Sequence, residues 1–191
     1  VLSAPKDIEG TLATVTVSNK DPTWGSLDNS VRDNKGGTGG GTTFNMANAG
    51  NVLSSDDVYA SYTGDASITG DSRSGYLYAG GYDFSAVPLA AIITGIQVDI
   101  EMKESSAAGD MLRGEVALLI DGTKVGVVQT DETELGTVDA YITFGGSTSR
   151  WGASLTGEDI QTLTVRYQGI QKVSTTTAGT CTIDHIRVSV T

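Results

Sequence analysis

Apolar and polar side chains alternate with almost no error between residues 92 and 103, Ile-Ile-Thr-Gly-Ile-Gln-Val-Asp-Ile-Glu-Met-Lys. Ile96, Val98, Ile100 and Met102 fall on one side; Gln97, Asp99, Glu101 and Lys103 fall on the other. Successive side chains of a β-strand point to opposite faces, so this period of two predicts a strand with one dry and one wet surface. The dry surface requires a second sheet, which suits an antiparallel sandwich.

The same signal recurs along the chain. Thr11 to Ser18 reads as a strand with Ala13, Val15 and Val17 on one side. Short strands are expected at Tyr76 to Ala79, Tyr141 to Phe144, Leu163 to Tyr167 and Thr180 to Val190. Val116 to Ile120 and Lys124 to Val128 flank Asp121-Gly122, and Asp-Gly between two apolar runs marks a hairpin because both central positions tolerate positive φ. The set makes about eight strands, in the usual range for two packed sheets or a jelly roll. Helix is nearly absent. Thr156 and Asp159 have capping-box spacing and are expected to start a single turn within Leu155 to Ile160.

Composition agrees with many short strands and tight turns: 25 glycines stand against three prolines. Residues 1–43 differ in texture from residues 44–191. After the first strand comes a polar, glycine-loaded passage, Asp21 to Thr43, with Lys-Gly-Gly-Thr-Gly-Gly-Gly at 35–41. Glycine runs act as flexible connectors because ordering them costs much entropy. A phosphate loop is disfavoured, since no Gly-Lys-Ser/Thr and no helical pattern follow. The expected organisation is an N-terminal arm over 1–43 and an all-β antiparallel sandwich, jelly-roll-like, over 44–191.

The formal net charge of −11 argues against nucleic acid as a partner, because phosphate binding needs clustered Lys and Arg. Solubility is the simplest use of the acidity. No apolar run approaches the roughly 20 residues of a spanning helix, so no membrane association is expected. The chain opens Val-Leu-Ser-Ala without a charged-then-apolar leader, from which removal of something ahead of Val1 is expected. Cys181 is the single cysteine and is expected to be a small buried hydrophobe.

Several marks then fall in a recognisable order: Asp56-Asp57-Val-Tyr59-Ala60, Gly81-Tyr-Asp-Phe-Ser-Ala-Val-Pro88, Ala91-Ile-Ile-Thr-Gly-Ile-Gln-Val-Asp-Ile-Glu101, Asp139-Ala-Tyr-Ile-Thr-Phe-Gly-Gly146, Trp151-Gly-Ala-Ser-Leu-Thr156 and Thr182-Ile-Asp-His-Ile-Arg-Val-Ser-Val190. From Phe44 to Thr191 the chain resembles a recurring β-sandwich module of tailed-bacteriophage structural proteins, also found in prophages. The resemblance implies a virion component, such as a capsid decoration, tail-associated or fibre subunit, and not an enzyme. By analogy with virion proteins that assemble through extended arms, residues 1–43 are expected to reach a neighbouring subunit, with Leu12, Val15, Val17 and Trp24 as interface anchors. Its partners would be copies of itself and other virion proteins.

Candidate chemistry is sparse. His185 is the only histidine; it is read as structural, with Asp184 on the opposite strand face and no third group for a triad. One His and one Cys cannot supply a zinc site. Asp56, Asp57, Glu132 and Glu134 are glycosidase candidates only if two of them flank one cleft, and their plain reading is solvated loop charge. Calcium held by Asp56, Asp57 or Asp71 with loop carbonyls is the one cofactor considered, because hard oxygen donors suit it, although EF-hand spacing is missing. Trp151 is read as packing over one end of the core and Trp24 as an arm residue. The first expectation is therefore a non-enzymatic structural subunit; the alternative is a carbohydrate- or receptor-binding module, with a cell-surface glycan as ligand.

Overall fold

A computed structural model of the chain describes residues 15–17, 46–64, 72–105, 111–172 and 179–191. They form nine strands: β1 Val15–Val17, β2 Ala60–Thr63, β3 Ser72–Gly80, β4 Ile96–Glu104, β5 Met111–Ile120, β6 Thr123–Glu134, β7 Ala140–Gly146, β8 Thr164–Gln171 and β9 Thr180–Val190. Two 3-10 turns, Ala49–Val52 and Asp159–Thr162, are the only helical pieces among the described residues, and no helix there is long and apolar enough to cross a membrane.

The strands make an antiparallel β-sandwich. One sheet runs β1-β9-β4-β7 with β2 also on β9, and the other runs β3-β8-β5-β6. The chain changes sheet at nearly every connection, in the jelly-roll manner; only β5 and β6 are both consecutive and paired. Their link is the expected hairpin: Ile120 pairs with Thr123 across Asp121 and Gly122, at φ 49° and 74°. An Asp-Gly pair enters that left-handed region at little cost, which matches the twist of the flanking strands.

β4 lies in the middle of its sheet, between β9 and β7. Ile96, Val98, Ile100 and Met102 are buried and join one apolar cluster with Leu77, Val116, Leu118, Val165 and Tyr167 of the facing sheet. Burying each such aliphatic side chain is worth about 1.5–3 kcal/mol, so this alternation is the main local contribution to sheet packing. The strand begins at Ile96, later than the sequence pattern suggests. Ile93 is buried beside Leu155, to whose carbonyl its N–H donates at 2.9 Å, while Ile92 stands 73% exposed.

β9 organises the first sheet. One edge pairs with β4 over nearly its whole length. Its other edge is closed in three steps: β2 covers Thr180 to Ile183, an isolated bridge from Leu53 meets His185, and β1 covers Val188 to Val190. The described part of the arm therefore lies on the sheet of its own chain, filling the last open stretch of β9.

Trp151 is 1% exposed and donates its Nε1–H to the Ile96 carbonyl at 2.8 Å, closing one end of the core as expected. Gly145, at φ 78°, makes room for it: a Cβ there would lie 2.6 Å from Trp151 Nε1. Thr156 and Asp159 form the reciprocal pair anticipated from their spacing, with Thr156 Oγ1 donating to Asp159 Oδ2 at 2.7 Å and Asp159 N–H donating back at 3.3 Å. Cys181 is fully buried, and that burial pushes its thiol up to about 12.

Candidate functional site: the polar face of the β9-β4-β7 layer

The outward side of β4 is the polar set Gln97, Asp99, Glu101 and Lys103, and strand register extends it into rows. Asp99 stands between Arg187 of β9 and Thr143 of β7; Glu101 stands between His185 and Tyr141. Side chains on neighbouring strands at such positions lie about 5 Å apart, close enough to bond directly.

Asp99 is the hub of the first row. It is buried, and it accepts from Thr143 Oγ1 at 2.7 Å, Gln97 Nε2 at 3.0 Å and Arg187 Nε at 3.1 Å. The Arg187 guanidinium then lies over the Tyr141 ring, 3.9 Å from its centroid. Tyr141 in turn meets His185, its hydroxyl 3.0 Å from Nδ1 and the rings edge to face. Burial holds the Tyr141 phenol up, helped by Glu101 beside it. Burial also pulls the His185 imidazole down, against the attraction of Glu101.

A second group lies across the same face. Tyr59 precedes β2, on the β9 side of the sheet, yet its hydroxyl reaches Asp139 Oδ2 at 2.6 Å, at the entry to β7. Its ring therefore spans the layer, with Lys103 Nζ 4.3 Å from the centroid. Lys103 donates to Asp139 Oδ2 at 2.7 Å and to the Tyr59 hydroxyl at 2.8 Å. The bond to the Asp139 carboxylate pushes the Tyr59 phenol up to about 12, against the pull of Lys103. The same carboxylate raises Lys103, which stays charged.

The segment before Tyr59 anchors this arrangement through a β-bulge. Glu101 pairs with His185 and Met102 with Ile183, which leaves Asp184 as the extra residue on β9. The bulge corrects the expectation that Asp184 and His185 face opposite ways. An inserted residue interrupts the alternation, and the Asp184 carboxylate comes to the outer side, where it accepts the N–H groups of Asp56 and Asp57 at 3.4 and 3.3 Å. Burial raises Asp184 despite these two donors. Asp57 takes φ 62°, a left-handed conformation Asp tolerates.

The calcium candidates Asp56 and Asp57 thus sit at the rim of this face with their carboxylates engaged: Asp56 accepts from Ser54 Oγ and Val58 N–H, and Asp57 Oδ1 lies 3.0 Å from the Tyr59 hydroxyl. Asp71 lies outside the described residues, as do Leu12 and Trp24. Among the described residues no three His, Cys, Asp or Glu side chains converge as a metal site. Glu132 and Glu134 lie on β6 of the other sheet, whereas Asp56 and Asp57 lie just ahead of β2. Val15 and Val17 lie in β1, opposite Val190 and Val188.

The polar side of β4 is legible in the sequence; its partners are not. Tyr59, Asp139, Tyr141 and Arg187 come to Asp99, Glu101 and Lys103 only through register, and no local spacing encodes that. The lone histidine was the one usable signal, since a half-buried imidazole on a strand needs a partner, and that partner is Tyr141.

No family model and no curated protein matches this chain. Among solved structures, one from work on CBM4 structure and function is similar over 72% of this chain and 87% of that one, with TM-score 0.41 and 11% identity. Another, from work on endo-acting O-glycanases by which members of the human gut microbiota initiate mucin breakdown, is similar over 70% and 80%, with TM-score 0.34 and 7% identity. Both likenesses concern the β-sandwich fold alone.

Proposed function

We propose that this protein is a binding module that takes a carbohydrate on the outer face of the β9-β4-β7 layer and does not cleave it. The observation that carries the reading is the partly buried Tyr141 ring, held between Arg187 and His185 and bordered by Glu101. A sugar presents hydroxyls in fixed directions and patches of C–H surface, so it is recognised by planar polar groups set around an aromatic ring. Here the network fixes those groups before any ligand arrives, and less conformational entropy is lost on binding. The net charge of −11 repels sulfated, uronic and sialylated chains, which favours a neutral saccharide. The reading is of binding without cleavage because His185 Nδ1 is engaged by Tyr141.

A glycan array containing neutral and anionic saccharides tests this. Binding is expected among neutral glycans, and Tyr141→Ala and Arg187→Ala should each weaken it at least about tenfold, equivalent to about 1.4 kcal/mol. Tyr76→Ala, on the outer side of the other sheet, should leave it unchanged. An array without signal, or binding indifferent to Tyr141 and Arg187, rejects the reading.

The particle-subunit reading keeps one observation in its favour. β1 reaches β9 from a part of the chain distant in sequence and is held by three residue pairs, so the same edge is able to accept the strand of another copy. Light scattering with and without residues 1–43 tests it: an oligomer that dissolves on deletion supports it, and a monomer in both cases rejects it.

A further inference from the structure

A groove of about 190 Å³ opens where β9 ends, lined chiefly by Val87, Pro88, Ala91, Ile92, Ile93 and Val190. Its lining is apolar and its rim is bare: Ile92 is 73% exposed, and nearby Leu89 is 59% exposed. Two large aliphatic side chains left in water so close together call for a cover.

The register of β1 points to that cover. β1 runs antiparallel to β9 with Val15 opposite Val190 and Val17 opposite Val188. Val190 is followed by Thr191, which itself lines the groove, so Val15 stands at the groove's edge. β1 therefore begins at the groove mouth. Three extended residues reach about 10 Å, and the third residue back from Val15 is the large apolar Leu12. We propose that Leu12 of the same chain seats in this groove against Ile92, so that the arm is fastened twice, by main-chain pairing at β1 and by an apolar plug beyond it. The groove is continuous with the β1–β9 contact, and this reading is independent of any ligand on the polar face.

Thiol labelling of the full chain tests it. Cys181 is fully buried with its thiol pushed up to about 12, so it stays silent. Cysteine is introduced by Ile92→Cys, and separately by Val138→Cys at a site 77% exposed as the unprotected reference. With Leu12 intact, the thiol at 92 should react at least about tenfold more slowly than the one at 138. Leu12→Asp should bring the two rates together, and Leu12→Ala should fall between, with circular dichroism confirming the sheet in each variant. Equal rates with Leu12 intact overturn the proposal, as does slow labelling that ignores Leu12→Asp. Protection that fades on dilution also overturns it, by placing the segment of a second copy in the groove.

Discussion

The two sides of β4 are built from the same backbone and behave as different materials. Its inner side, Ile96, Val98, Ile100 and Met102, is held by shape and exclusion of water within a single apolar cluster. Its outer side, Gln97, Asp99, Glu101 and Lys103, is held by directional bonds to three other elements, and Asp99 is buried nearly as deeply as the aliphatic residues behind it. Alternation separates apolar from polar; it does not separate dry from wet. A polar strand face covered by its own network has its donors and acceptors already fixed in place, and it is this order that the proposed binding role relies on.

Substitutions on the two sides sharpen this contrast. Ile100→Ala should cost most, about 2–5 kcal/mol in denaturant unfolding, because a fully buried side chain leaves a cavity between the sheets. Asp99→Ala should cost about 1–3 kcal/mol, since Thr143, Gln97 and Arg187 lose their common acceptor. If the outer change proves as costly as the inner one, the outer side is a structural core of its own and not a surface prepared for a ligand.

Smaller effects should appear as titrations. Burial lowers the folded pKa of His185, so the unfolded chain takes up its proton at higher pH. Stability from this residue is full above its ordinary value near 6.5 and falls as pH drops through that value towards the lower folded pKa. His185→Gln should flatten the unfolding free energy over that window, and an unchanged pH profile would show the imidazole to be freely solvated. Asp184, raised by burial, acts with the opposite sign at lower pH, so Asp184→Asn separates the two. Last, Asp139→Asn should bring the Tyr59 phenol down from about 12 towards its ordinary 10.0, measured by ultraviolet absorbance, with little change in stability. A phenol left near 12 would mean that something other than Asp139 holds its proton.

Much of the fold was legible. The β5–β6 turn was written in Asp121-Gly122, the inner side of β4 in its alternation, and the last strand from Thr180 to Val190 in its Val and Ile content, because each signal is local. Trp151 belongs to the core, since indole area is hard to leave in water. β2 escaped notice, being only Ala60–Thr63 and patterned by its contact with β9. Asp184 misled because a bulge follows from the pairing of two strands and leaves no mark in either strand alone.

Sequence by itself determined that the chain is all-β, that β4 has one apolar side, and that its chemistry is acidic, with one histidine and one cysteine. Tertiary structure alone decided that Tyr141 would lie beneath Arg187, that Tyr59 would cross two strands to reach Asp139, and that β1 would close the edge of its own β9. The physical reason is range. Periodicity and turn chemistry act between residues a few positions apart, whereas register between distant strands is set by the whole packed core, and the polar face is assembled by that register.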